Sequence, residues 1–175
     1  MGKALYFDGI DDYVEVPHST SLGITGDLTL AAWVRFEAGG TINPRIVSKL
    51  AHNGGTDEPG YELSTSSTQA TRKWFFVASL VSEQLESPGR LEVGDWHLLV
   101  GTRRSDTLSM YQDDSLVARR LTSTSLDPGN LPLAIGRKSV FGFDQFKGVI
   151  DEVRVYNRAL TENQLASLWR ERSHR

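Results

Sequence analysis

Leu28-Thr29-Leu30-Ala31-Ala32-Trp33-Val34-Arg35-Phe36 decides how the rest of the chain is read. In an extended strand successive side chains point to opposite faces. Leu28, Leu30, Ala32, Val34 and Phe36 therefore share one face, and Thr29, Ala31, Trp33 and Arg35 share the other. The first face is wholly apolar and must be covered. Leu98, Val100 and Thr102 repeat the alternation further on.

Working outward, short runs rich in Val, Leu, Thr and aromatic residues recur between clusters of Gly, Pro, Asn and Asp, the spacing of an all-β sandwich. Strands are predicted over residues 3–7, 13–16, 28–36, 46–49, 61–64, 74–80, 96–102, 107–112, 116–119, 133–136 and 146–156. That many strands in one domain require two packed sheets. One segment reads as helix: Thr161-Glu162-Asn163-Gln164 has the form of a capping box, and Leu165, Leu168 and Trp169 follow at spacings of three and four. The helix should dock through Leu165 and Trp169. Loops are expected over 52–60, 82–89, 122–130 and 137–145, and in a sandwich such loops gather at the rims, where binding sites are built.

The chain has 175 residues, 19 Lys plus Arg against 22 Asp plus Glu, a net charge of −3 and no cysteine. The length suits a single domain spanning 1–175, large enough to fold on its own core without disulfides or metal. Absence of cysteine removes a disulfide scaffold, a thiolate zinc site and a cysteine nucleophile. The mild negative charge argues against nucleic acid as a partner, since basic residues cluster only at Arg170, Arg172 and Arg175. No apolar run approaches the ~18 residues needed to cross a bilayer, so no membrane insertion is expected. The apolar segment after Lys3 is too short for a secretory signal, and an exported protein would carry this chain as a mature or excised module.

Four acids lie close together: Asp8, Asp11, Asp12 and Glu15. Counted by period two, Asp151 falls in phase with Val149, Val153 and Val155, which puts a carboxylate on an apolar strand face. A bare charge there is costly and calls for a partner or a metal. Alternatively, Asp8 and Asp11 only shape an Asp-Gly turn, and Asp151 accepts backbone N–H bonds or pairs with an arginine. The chain has no two acids at spacing i, i+2, no Gly-x-Ser-x-Gly and no His-Glu-x-x-His, and its four histidines are scattered. Asp57, Glu58 and Glu62 flank a Pro-Gly turn, a poor place for fixed acid–base geometry. Nothing here points to an enzyme.

Sugars are held by flat aromatic faces with amide, carboxylate and arginine groups nearby. The aromatic candidates are Tyr61, Trp74, Phe141 and Phe143, with Asn53, Asp57, Arg72, Arg137 and Gln145 as polar partners, although Trp74-Phe75-Phe76-Val77 also reads as a strand buried on both faces. Phe141-Gly142-Phe143 places two aromatics in a Gly-containing segment, either to meet a ligand or to plug the end of the sandwich. Trp33 and Trp96 read as core.

Three stretches resemble the laminin-G-like jelly-roll family of the concanavalin-A-like lectin and glucanase superfamily. They are Phe7-Asp8-Gly9-Ile10-Asp11-Asp12-Tyr13-Val14-Glu15-Val16-Pro17, Leu28 to Val34, and Gly148-Val149-Ile150-Asp151-Glu152-Val153-Arg154-Val155-Tyr156-Asn157-Arg158-Ala159-Leu160. Weaker matches at Ile46 to Lys49, Gly60 to Leu63, Trp96 to Val100 and Pro132 to Arg137 fall in the same order. One departure is Tyr111-Gln112-Asp113-Asp114-Ser115, where the family has a hairpin glycine; Asp adopts positive φ at modest cost.

The resemblance implies a two-sheet antiparallel jelly-roll sandwich with one short C-terminal helix. It further implies a noncatalytic recognition or adhesion module, extracellular or on a cell or virion surface, that binds a glycan or glycoprotein. A structural calcium is implied where the first and last strands meet, carried over to Asp8 and Asp151 with Asp11 or Asp12; calcium takes six to eight oxygen ligands. Two other readings stand beside this one: an assembly module that self-associates, and a divergent glycoside hydrolase, which needs two carboxyl groups facing one cleft.

Overall fold

In the computed structural model, which describes residues 3–51, 58–66, 72–140 and 143–173, twelve strands and one helix form. They are β1 (Leu5–Asp8), β2 (Val14–Val16), β3 (Leu28–Phe36), β4 (Arg45–Lys49), β5 (Gly60–Thr65), β6 (Trp74–Ser79), β7 (Leu85–Glu86), β8 (Trp96–Arg104), β9 (Thr107–Gln112), β10 (Ser115–Leu121), β11 (Leu133–Ile135), β12 (Lys147–Tyr156) and α1 (Glu162–Ser173). Two six-stranded sheets result, ordered β1-β12-β3-β8-β9-β10 and β2-β11-β4-β5-β6-β7. Every pairing is antiparallel.

The alternation in β3 explains the layering. Leu28, Leu30, Ala32, Val34 and Phe36 enter the inter-sheet core with Leu99, Leu108 and Met110 of their own sheet and Ile46, Leu63, Trp74 and Phe76 of the other. Ala31 and Trp33, on the opposite face, join Leu98, Val100, Leu165 and Leu168 in a second apolar cluster beneath α1. The strand is thus covered on both sides, which is why it reads as nearly continuous hydrophobicity. Trp33 stacks on Trp169 at 5.1 Å between ring centroids, so the helix docks as its spacing predicts. Half of the capping box is present: the Gln164 side chain accepts from Thr161 N at 3.0 Å.

Gly101 faces inward opposite Phe76, whose ring lies 2.1 Å from where a Cβ would sit. Only glycine lets that ring fill the core there. The strand absent from the sequence reading is β7, inside the expected 82–89 loop. Two residues followed by Ser87-Pro88-Gly89 carry no period to detect.

The predicted face of Asp151 needs correction. A bulge interrupts the β12–β3 register between Asp151 and Arg154, with Glu152 at φ 49°. Ile150, Val153 and Val155 all pack toward the inter-sheet core, while Asp151 sits opposite Trp33 on the outer face. Counting by twos assumed an unbroken strand. The extra residue reverses the phase after Asp151, so its carboxylate shares a face with Val149 but not with Val153 or Val155. Its Oδ1 accepts from Glu152 N at 2.9 Å, fastening the bulge.

Candidate functional site

The first candidate is the turn joining the two sheets at their β1 and β2 edges. Gly9 has φ +82°, and its close approach to the Lys147 Cβ leaves no room for a side chain. Asp8 Oδ1 accepts from Ile10 N at 2.7 Å and Asp11 N at 3.4 Å, and Asp12 Oδ2 accepts from Asp8 N at 2.9 Å. The carboxylates close the turn, and Asp8, Asp11 and Asp12 also offer oxygens that lie within 4.8 Å of one another. An all-oxygen carboxylate set suits a hard divalent cation such as Ca²⁺. Asp151 is not brought to this group. Asp8 pairs with Lys147, four residues before Asp151, a separation of about 13 Å at the rise of a strand.

The second candidate depends on which outer face is open. On the first sheet α1 occupies it. On the second sheet, the register sets Ala134, Ser48, Glu62 and Val77 side by side across β11, β4, β5 and β6, and Arg45, Ser64 and Phe75 in the next row. After β11 the chain folds back beside this face. Ser139 Oγ donates to Leu50 O at 2.9 Å and accepts from Leu50 N at 3.2 Å, and Lys138 N donates to Phe143 O at 3.1 Å.

Between the folded-back segment and the sheet lies a cleft of about 420 Å³, within the range of small-ligand sites. Arg45, Glu62, Ser64 and Phe75 line it from the strands, Lys138, Phe143 and Asp144 from the folded-back segment, and Val81 and Gln84 from the turn after β6. Glu62 is 2% exposed. Its Oε1 meets Arg45 Nε at 2.9 Å, and its Oε2 accepts from Ser48 Oγ at 2.7 Å. Arg45 Nη2 also reaches Asp144 Oδ2 at 3.5 Å, and Arg45 N donates to Asp144 O at 2.9 Å. Phe143 is 46% exposed, with Lys138 Nζ 5.4 Å from its ring centroid. Burial, and then the Arg45 charge, hold the Lys138 ammonium below its usual pKa against the opposing pull of Asp144 and Glu62.

Of the residues the sequence singled out for a ligand, the structure places Phe143 on this cleft. Tyr61 is corrected: it is wholly buried in the inter-sheet core, its hydroxyl donates to Leu22 O at 3.0 Å, and burial pushes its pKa up. Arg137 lies over the Tyr13 ring at 3.4 Å and pairs with Glu15 at 2.9 Å, joining β2 to the end of β11. Asn53, Asp57 and Phe141 lie outside the described residues. Sequence reasoning missed Arg45, Lys138, Asp144 and Phe75. Glu62 falls in the predicted strand 61–64, but beside the Pro-Gly turn it was not expected to have the fixed geometry that its contacts to Arg45 and Ser48 give it. The available signal was Glu62 and Ser64 alternating with Tyr61 and Leu63, a strand with one polar face.

Two six-stranded antiparallel sheets, with a helix closing one outer face and a lined cleft on the other, define a lectin-like β-sandwich. The laminin-G family of the concanavalin A-like lectin/glucanases superfamily matches residues 8–166, and the chain belongs to it. No curated protein sequence matches. Among solved structures, the chain is similar to one from Bacteroides ovatus described as a "putative carbohydrate binding protein", with 20% identity, TM-score 0.73, and 93% of this chain against 45% of that one. This chain therefore spans under half of that protein. Domain 4 of AbnA, an extracellular GH43 arabinanase of Geobacillus stearothermophilus solved with arabinotriose, gives 19% identity, TM-score 0.65, and coverage of 96% and 82%. The CBM40 of a Ruminococcus gnavus sialidase, bound to α2,3-sialyllactose, gives 9% identity, TM-score 0.70, and coverage of 95% and 96%. At these identities the likeness is one of fold. No described helix is long and apolar enough to cross a membrane.

Proposed function

We propose that this domain is a noncatalytic carbohydrate-recognition module of an extracellular or surface protein, and that it binds glycan in the outer-face cleft of the second sheet. The observation that carries this reading is the cleft itself. A half-exposed aromatic ring, Phe143, and the Phe75 ring stand beside hydrogen-bonding groups of Arg45, Glu62, Ser64, Gln84 and Asp144. Apolar ring faces match sugar C–H surfaces, and fixed polar groups match hydroxyls. Solved structures of similar fold whose descriptions name bound sugars support the same reading.

A hydrolase is disfavoured by how the carboxylates are held. Glu62 and Asp144 do share the cleft, but both contact one guanidinium, and both Glu62 oxygens are engaged by Arg45 and Ser48. Glycoside hydrolysis needs two carboxyl groups flanking the scissile bond in separate roles, and two that share one guanidinium are not set apart in that way. The test is a glycan panel with the wild type and Phe143→Ala. The wild type is expected to bind, the variant to bind at least about tenfold more weakly, a loss of ~1.4 kcal/mol, with an unchanged melting temperature. A folded wild type that binds no glycan overturns the reading, and release of sugar from any panel member overturns its noncatalytic part.

Calcium belongs to the same proposal as a structural ion. Asp8, Asp11 and Asp12 would hold it, and its contribution would be charge neutralisation at the turn between the sheets. Self-association is a second reading, favoured by one edge of the sandwich. Leu5, Tyr6, Ile10, Tyr13 and Val16 are all exposed there, along the outermost strands β1 and β2, and exposed apolar edges invite pairing.

A further inference from the structure

Lys138 is 5% exposed and lines the cleft. Among the described residues no carboxylate lies within ion-pairing distance of its ammonium. Both acids nearby are already committed: Glu62 to Arg45 and Ser48, and Asp144 to Arg45. The Phe143 ring at 5.4 Å favours a cation without neutralising it. The Lys138 side chain is largely covered, yet its ammonium is not among the fully enclosed polar atoms; it meets the cleft, as the positive end of a buried stem. An anionic group entering the cleft would take the place of water at that ammonium and gain a charge-assisted hydrogen bond.

We propose that the cleft selects an anionic sugar, and that its carboxylate or sulfate group pairs with Lys138 Nζ while the ring lies against Phe143. This rests on the carbohydrate reading and names the ligand class within it. Arg45 is already engaged by Glu62 and Asp144, so the geometry gives Lys138 the role of discriminating acidic from neutral sugars. Because burial holds the Lys138 ammonium below its usual pKa, preference for the acid should fall in alkaline buffer before an exposed lysine would titrate.

Calorimetric titrations of the full chain with lactose, 3′-sialyllactose and 3′-sulfolactose, and with galactotriose and trigalacturonate, within a wider acidic and neutral panel, test this. At least one acidic member should bind about tenfold or more tightly than its neutral counterpart, and the sialyl and sulfo arms separate carboxylate from sulfate. Lys138→Met should erase that preference while leaving neutral binding in place, and Lys138→Arg should keep it, with melting curves confirming that both variants fold. Neutral sugars bound as tightly as acidic ones, or a preference that survives in Lys138→Met, would overturn the inference and leave the carbohydrate reading standing. No binding to any member removes both.

Discussion

Glu83 shows how a single exposed-looking acid fixes a loop. It ends the 3-10 turn Val81–Glu83 and accepts hydrogen bonds from Thr122 Oγ1, from Ser123 N at 3.0 Å and from Ser123 Oγ at 2.8 Å. Burial pushes its carboxyl up, but these donors and Thr124 outweigh it and lower the pKa to about 2. The folded pKa lies below the unfolded one. The stabilisation is therefore complete above about pH 4.5, where the unfolded acid is ionised too, and is lost as pH falls through about 2. Because the group is largely solvated, the effect is modest. Glu83→Gln should cost about 1 kcal/mol in urea unfolding at pH 7 and almost nothing near pH 2; an equal cost at both would refute this clamp. Asp113 makes a related point. It takes φ 59° where the family has glycine nearby, as an aspartate can, and its carboxylate also accepts from Leu98 N at 3.0 Å and meets His97 Nδ1 at 3.2 Å. The missing glycine was legible in the sequence. The clamp that replaces it was not, because it depends on which strand lies alongside.

At the scale of elements, what could be read was what repeats. The two faces of β3, the helix with Leu165 and Trp169 turned inward, and the position of every long strand follow from periods of two and of three to four. What failed were the places where the period breaks. The β12 bulge turned Asp151 to the outer face, and the two-residue β7 carried no pattern. Tyr61, at the start of its predicted strand, was a candidate ligand aromatic, but the alternation of β5 puts that ring in the core. The turn between β1 and β2 was legible as an acidic cluster, and the structure groups Asp8, Asp11 and Asp12 there without Asp151. If those three hold calcium, chelator-treated protein should gain melting temperature on adding calcium, because an ion bound only by the native state stabilises it. Asp11→Asn combined with Asp12→Asn should abolish the gain. No gain in the wild type rules the ion out.

For the whole molecule, the decisive asymmetry is between the two outer faces. Trp33 recruits α1 to one sheet, and the other sheet keeps a polar cleft walled by the folded-back chain after β11. The candidate site was only partly readable, since Phe143 stood out by its neighbour Gly142, whereas Arg45, Glu62 and Lys138 meet only through cross-strand register and a return of the chain. The exposed β1–β2 edge bears on the other reading. Sedimentation velocity should detect concentration-dependent association that Tyr6→Lys with Ile10→Lys abolishes, and a strictly monomeric wild type would eliminate it.

Carbohydrate recognition in the second-sheet cleft is tested most directly by titrating isotope-labelled protein with a glycan from the panel and mapping amide shift changes by NMR. Binding in the cleft predicts changes centred on Arg45, Glu62, Phe75, Lys138 and Phe143, all lost in Phe143→Ala. Changes centred instead on α1 or on the Asp8 to Asp12 turn, or none with any glycan, would contradict it.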